Sequence, residues 1–405
     1  MKIEVVVSLV RLRLAAKLLF CAAAVTSAPA QSVSFTTLVS FDGADGAYPF
    51  AALVQASDQS FYGTATSGGG SGIGTAFKLT PGVGLSVLHS FNVTDGSVPY
   101  AGLVQAADGS FYGTTEHGGN IGLDYGTVFK ITPNGTFTLL HSFDGSDGDY
   151  PFGGLVQDRD GNFYGTTSGG EQFGNCYSFY GTVFTITPEG TLTTLHSFNG
   201  RDGSAPCAGL VQGTDGNFYG TTSGGGVYNG GTVFQITPSG TLTILYSFSG
   251  ADGLSPEAGL VRATDGNFYG TTAFEGTGNG TVFKITPEGM LTTLHYFNGS
   301  DGSMPYAGLV QAADGNFYGT TSGGGTSGDC DHGCGTAFRM TPEGAVTTLH
   351  SFCSQPNCAD GNYPYGGLMQ AADGFFYGTT SQGGANGFGT VFRVGLVQPC
   401  SHCRP

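Results

Sequence analysis

The stretch GLVRATDGNFYGTTAFEGTGNGTVFKITPEGMLTTLHYF, residues 259–297, decides the fold. Four short runs alternate with turn residues in it. Residues 259–262 come first. Asp265-Gly266 follows, a pair suited to a tight hairpin because such a turn needs positive φ. Residues 268–272, Phe-Tyr-Gly-Thr-Thr, are aromatic and β-branched. A glycine-rich loop leads to residues 281–285, Thr-Val-Phe-Lys-Ile. Thr286-Pro287-Glu288-Gly289 reads as a turn, with proline presetting φ. Residues 291–297 are the fourth run. None of these windows carries a helical period, and each run has strand length with Gly, Pro, Asn or Asp at its borders. The unit reads as a four-stranded antiparallel meander, which needs neighbours to bury its faces.

Versions of this unit recur along the chain. The second run begins at Phe61, Phe111, Phe163, Phe218, Phe268, Phe317 and Phe376. The third carries Phe77, Phe129, Phe184, Phe234, Phe283, Phe338 and Phe392. The fourth ends at Phe41, Phe91, Phe143, Phe198, Phe248, Phe297 and Phe352. A linker with Asp-Gly and then proline follows each fourth run, from Asp45 and Pro49 to Asp360 and Pro364. The counts are out of phase with the ends. The chain begins with a lone fourth run at residues 33–41 and finishes, from residue 366, with a unit lacking one. A linear stack would leave both edges bare, which invites aggregation. A ring removes them if the N-terminal strand completes the last sheet. The expected fold is all-β: a seven-bladed β-propeller of four-stranded antiparallel blades over residues 31–398. The Gly-Leu-Val-Gln runs, such as residues 102–105, are expected as the innermost strands. The linkers and second-to-third loops share one face, which carries most of the length variation.

The 405 residues include 73 glycines and no tryptophan, and a large core is within reach of this length. The net charge of -16 argues against a nucleic-acid partner, and much of the acidity sits in Asp-Gly turns. Lys2, Arg11, Arg13 and Lys17 precede an apolar stretch and Ala28-Pro29-Ala30. That pattern predicts a signal peptide over residues 1–30, cleaved after Ala30, and a secreted, periplasmic or cell-surface location. No second apolar run is long enough for a membrane span. Residues 399–405 form a tail. Eight cysteines would remain after cleavage, and an even number in an exported chain favours disulfides. The close pairs are Cys330 with Cys334, Cys353 with Cys358 and Cys400 with Cys403, leaving Cys176 and Cys207. His332 and His402 lie within these clusters and make a zinc site conceivable, but an oxidising compartment and the dispersed positions favour disulfides.

At GLVQAADGNFYGTTSGGG, GTVFKITPEG and LHSFNGSDG the chain resembles the GloVer-type tandem repeat, and more loosely the NHL-type propeller repeats. The resemblance covers essentially the whole mature chain. It implies export or a surface location and no established activity.

Candidate sites are few. The linker aspartates, with Asp45, Asp147, Asp202 and Asp301 foremost, would offer hard oxygen ligands to calcium, although Asp-Gly also simply makes the turn. His89, His141, His196, His295 and His350 hold one equivalent strand position in five blades. Residues spread over every blade are not expected to converge on one centre. Catalysis would therefore come from residues that break the repeat: Glu116 and His117 with Asp124 and Tyr125, Glu171 and Tyr180, Glu257 and Glu275, and Asp331 with His332. Of these, Glu116, His117, Glu171, Glu275, Asp331 and His332 are the catalytic candidates. No cofactor is called for. The chain reads as a monomeric binding scaffold for a protein or polysaccharide, with a carbohydrate-active lyase or hydrolase and a purely structural envelope component as alternatives. Aromatic residues exposed together on the loop face would mark a binding protein.

Overall fold

The computed structural model describes residues 32–120, 122, 124–169, 180–274 and 278–397. The expected signal peptide, the expected C-terminal tail, Glu171, Glu275, Cys176, Cys400, His402 and Cys403 lie outside the described residues. The propeller unit runs from Val33 to Leu396.

Seven four-stranded antiparallel sheets follow one another. The first consists of Val54–Gln55, Phe61–Ala65, Thr75–Thr80 and Gly84–Ser90, paired in that order. The seventh takes Met369–Gln370, Phe376–Thr380 and Thr390–Val397 from the C-terminal end, and Ser32–Ser40 is its outer strand. The phase shift in the repeats is thus a ring closure. Among the described residues the sole helix is a 3-10 turn, Pro356–Cys358, and no helix is long and apolar enough to cross a membrane.

The burial pattern explains the repeat. Each Phe-Tyr-Gly-Thr-Thr strand is buried along its whole length, as in Phe111–Thr115. Its glycine is forced by packing: a Cβ on Gly113 would lie 2.7 Å from Cζ of Phe129 and 2.9 Å from Cδ2 of Leu103. The outer strand, as in Leu192–Ser197, is half exposed and alternates accordingly.

The innermost strands are shorter than the sequence implies. Only Val104–Gln105 pairs in the second blade, with Gly102 and Leu103 leading into it. The reason is crowding at the axis. A Cβ on Gly102 would come within 3.0 Å of the Ala52 carbonyl oxygen, and one on Gly209 within 2.8 Å of the Gly154 carbonyl oxygen. The chain there runs against the neighbouring blade, so the glycines are needed and full strand pairing is lost.

Blades are joined by repeated contacts. Each second-strand tyrosine stacks on the second-strand phenylalanine of the next blade. Tyr62 on Phe111 and Tyr112 on Phe163 have centroids 4.1 Å apart, and Tyr377 on Phe61 closes the circle at 4.2 Å. The first threonine of each Thr-Thr or Thr-Ala pair donates its hydroxyl to a carbonyl of the next linker, as Thr114 to Gly153 at 3.3 Å and Thr379 to Ala51 at 3.0 Å. The phenylalanine after each outer strand packs edge-on into the next blade, as Phe91 against Phe129 at 5.1 Å. The N-terminal strand adds its own anchor: Phe35 stacks on His350 of the sixth blade at 3.6 Å.

Deleting residues 33–41 is expected to lower the melting temperature by about 10 °C or more. It removes an outer strand and the fully buried Phe41, itself worth ~3–5 kcal/mol. An unchanged melt would mean that this strand does not close the ring. Gly113→Ala is expected to cost about 1–3 kcal/mol by overpacking, measured by chemical denaturation.

Candidate functional site

The linkers share one local design. The linker aspartate accepts from a backbone amide of its own turn, and in five of the seven it also meets the outer-strand histidine, with Tyr246 replacing it at Asp252. Asp147 accepts from the Asp144 amide at 3.0 Å and meets His141 Nε2 at 2.7 Å; Asp202 accepts from the Asn199 amide at 2.9 Å and meets His196 at 3.0 Å. Asp301 does the same with Asn298 and His295, and Asp45 accepts from the Asp42 amide. The repeated histidines are partners of these turns, which explains why they recur blade by blade. Asp360 is the most enclosed. Burial would raise its carboxyl, but His350, the Ser354 hydroxyl and amide and the Gln355 amide outweigh it and bring it down to about 2.

The residue before each linker proline has a left-handed backbone. Tyr48, Val98, Tyr150, Ala205, Ser255, Met304 and Tyr363 all have φ between 50° and 56°. A non-glycine residue pays for this conformation in strain, which persists only where the surroundings over-determine it. Backbone hydrogen bonds do so on both sides. The Val98 amide donates to Ile73 O at 2.9 Å, and Val98 O accepts from the Glu116 amide at 3.0 Å. The kink, followed by the fixed φ of proline, directs the next side chain towards the axis.

That next position holds Phe50, Tyr100, Phe152, Cys207, Glu257, Tyr306 and Tyr365, one from each linker. All seven line a cavity of about 360 Å³ at the mouth of the central channel, whose floor is made by the axial glycines and leucines. Five aromatic rings form a continuous arc. Phe50 stacks on Tyr100 at 4.9 Å and lies 4.9 Å from Tyr365; Tyr100 meets Phe152 edge-on at 5.2 Å; Tyr306 lies 5.6 Å from Tyr365. Rings standing upright and radial would turn by a seventh of a revolution from blade to blade. The interplanar angles of 22°, 39° and 33° for the three non-perpendicular pairs are smaller, so these neighbouring rings lie closer to parallel than the blade rotation alone would set them.

Glu257 interrupts the arc and is the only charged side chain among the described residues lining the cavity. Half-buried beside aromatic walls, its carboxyl is pushed up to about 7 by burial. Burial, and then the Glu257 charge, raises the Tyr100 phenol above its usual range.

Of the catalytic candidates among the described residues, Glu116, His117, Asp331 and His332, none lines this mouth. Glu116 and His117 are buried side by side, with Oε1 and Nε2 3.2 Å apart, and Asp124 Oδ2 reaches His117 Nδ1 at 3.3 Å. Burial disfavours the imidazolium, but the Glu116 and Asp124 carboxylates outweigh it and raise His117. Asp331 and His332 are exposed in a loop of the sixth blade. The cysteines of that loop form disulfides, Cys330–Cys334 and Cys353–Cys358, with all four sulfurs within 4.8 Å of one another. Each closes a short local segment, the first within the sixth-blade loop and the second within the linker that follows that blade. Cys207 is also disulfide-bonded.

The expectation that equivalent positions cannot converge holds for the outer-strand histidines and fails at the axis. The radius of a position decides this: seven copies near the axis share one cavity. The alignment of residues after the linker prolines carries the signal, five aromatics in seven copies.

The fold and this mouth define a seven-bladed β-propeller with an axial, aromatic-lined pocket on its linker face. Residues 23–213 and 172–392 match the model of the Gloeobacter/Verrucomicrobia repeat, and the chain belongs to that family. Among solved structures it is similar to the extracellular domain described for a hybrid two-component system of B. thetaiotaomicron, with a TM-score of 0.54 at 10% identity over 89% of this chain and 39% of that one. It therefore spans about two fifths of that protein's length. It is also similar to a periplasmic gluconolactonase of Pseudomonas aeruginosa, with a TM-score of 0.50 at 17% identity over 84% of this chain and 99% of that one. At these identities the likeness shows the fold alone. No curated protein matches the sequence.

The raised Glu257 carboxyl has a definite consequence for stability. The folded state holds this proton more tightly than the unfolded chain, whose value is the ordinary 4.5. The resulting stability is whole below that value and is lost as pH rises to about 7. Glu257→Gln keeps the shape without the ionisation. Its melting temperature relative to the parent is expected to be higher at about pH 8 than at about pH 4, by thermal melts in matched buffers.

Proposed function

We propose that the chain is an exported binding module that holds a protein or polysaccharide partner on its linker face, with the axial mouth as the anchor. One observation carries this: five blades each place an aromatic side chain at the same position, and the five rings line one cavity. Aromatic residues bring large contact area and little conformational freedom to lose, which is why they dominate binding hot spots. The scaffold leaves the position free to vary. Aromatics, a cysteine and a glutamate occupy it on one unchanged backbone. Export is supported by the basic-then-apolar N-terminus and by the disulfides Cys330–Cys334 and Cys353–Cys358.

An enzymatic role in carbohydrate cleavage would use Glu257 as a general acid, since its carboxyl titrates near neutrality. Glycoside hydrolysis by paired carboxylates needs a second one facing it across the bound sugar. Among the described residues lining the mouth, Glu257 stands alone. The mouth is better matched to holding a ligand than to cleaving one.

The test is partner capture by the full chain on a glycan array and in pull-downs, repeated with the double variant Tyr100→Ala, Tyr365→Ala. Capture is expected to weaken at least about tenfold in the variant, as for loss of hot-spot aromatics. Undiminished capture would place the anchor elsewhere on the face. Release of shortened or unsaturated sugars from a bound polysaccharide would establish the enzyme instead.

A further inference from the structure

We propose, building on the binding role above, that the axial pocket is a site for an organic cation: an alkylammonium group held among Phe50, Tyr100, Tyr306 and Tyr365, with the Glu257 carboxylate as counter-ion. Three features of the pocket point to this class of ligand.

The first is sign. The described lining contains no lysine, arginine or histidine, and Glu257 is its one ionisable acid. The Tyr100 phenol feels the charge of Glu257 and also that of Glu116, so the local field is negative. An anionic group would be repelled. A neutral sugar would leave Glu257 to hold its proton and would draw nothing from its charge.

The second is the walls. The face of an aromatic ring carries the negative lobe of its quadrupole and attracts a cation. Phe50, Tyr100, Tyr306 and Tyr365 all line the cavity, so a group held in it lies against these rings. An alkylammonium ion suits this surface because its charge is spread over apolar methyl or methylene groups. It needs few hydrogen bonds and loses little hydration.

The third is size. A cavity of about 360 Å³ sits at the lower end of small-ligand pockets, room for one head group and not for an extended chain.

The ligand-free state fits the same picture. Without a cation, Glu257 relieves its burial by holding a proton up to about 7. A bound cation would displace that proton. Affinity should therefore fall as pH drops below about 7, approaching tenfold per unit. Of the other groups facing the pocket, burial raises the Tyr100 and Tyr365 phenols, and Cys207 is disulfide-bonded.

The probe is choline, compared with dimethylbutanol, its neutral carbon isostere, by isothermal titration calorimetry on the full chain. Choline is expected to bind saturably and at least about tenfold more tightly than the isostere at about pH 8, with the gap narrowing at about pH 5. Glu257→Gln, whose melting curve verifies its fold, is expected to remove the preference, and Tyr100→Ala to weaken choline binding. Equal affinities, a preference that survives Glu257→Gln, or no saturable choline binding would each overturn the cation assignment. Those outcomes leave the binding role standing if partner capture still depends on Tyr100 and Tyr365. Capture that ignores both tyrosines overturns the binding role itself.

Discussion

The structure depends on one repeated interaction, the stack of a tyrosine in each second strand on the phenylalanine of the next. The spacing varies little around the ring, from 3.8 Å at Tyr318–Phe376 to 4.2 Å at Phe61–Tyr377. Each stack adds about 0.5–1.5 kcal/mol beyond the area it buries. The greater effect is geometric. A stack of fixed offset imposes the same step from blade to blade, and seven equal steps must return to the start. Everything on the axis inherits that constraint. The axial glycines are most tightly held at residues 102, 209 and 308, where a Cβ would come within 3.0 Å of the carbonyl oxygen of a neighbouring blade's segment.

The same geometry gives the mouth its character. A residue on a blade's outer strand is one of seven isolated copies. Moved to the axis, the same copies touch. Phe50, Tyr100 and Tyr365 come from three different linkers yet have neighbouring centroids 4.9 Å apart. Each ring is aimed by a left-handed residue and a proline, which belong to the scaffold. The scaffold therefore spends its strain on direction and leaves the identity of the side chain open.

Much of this was legible in the sequence. Strand runs, turn pairs and the offset between a lone N-terminal strand and an incomplete last unit lead to the closed ring without any structural information. The linker aspartates were legible as turn formers, and the structure adds the histidines that they bind. What was not legible was distance from the axis. A string of residues carries period and alternation, while radius emerges only when the blades are packed. For that reason Glu257 looked like one irregular loop residue among several, and its aromatic neighbours, residues far apart in sequence, were not grouped with it. His117 shows the converse. It breaks the repeat as Glu257 does, yet it is tied into a buried pair with Glu116.

The N-terminal strand has a consequence in time. Ribosomes make Ser32–Ser40 first, and its sheet partner, Thr390–Val397, last. The Ser40 hydroxyl finally accepts from the Ala385 amide, 345 residues along the chain. Entropy alone penalises so long a loop only modestly, because the cost grows with the logarithm of length. The kinetic exposure is larger. Throughout synthesis a half-apolar edge strand has no mate, while six blades accumulate behind it. The last sheet therefore cannot be completed until both ends of the chain have met.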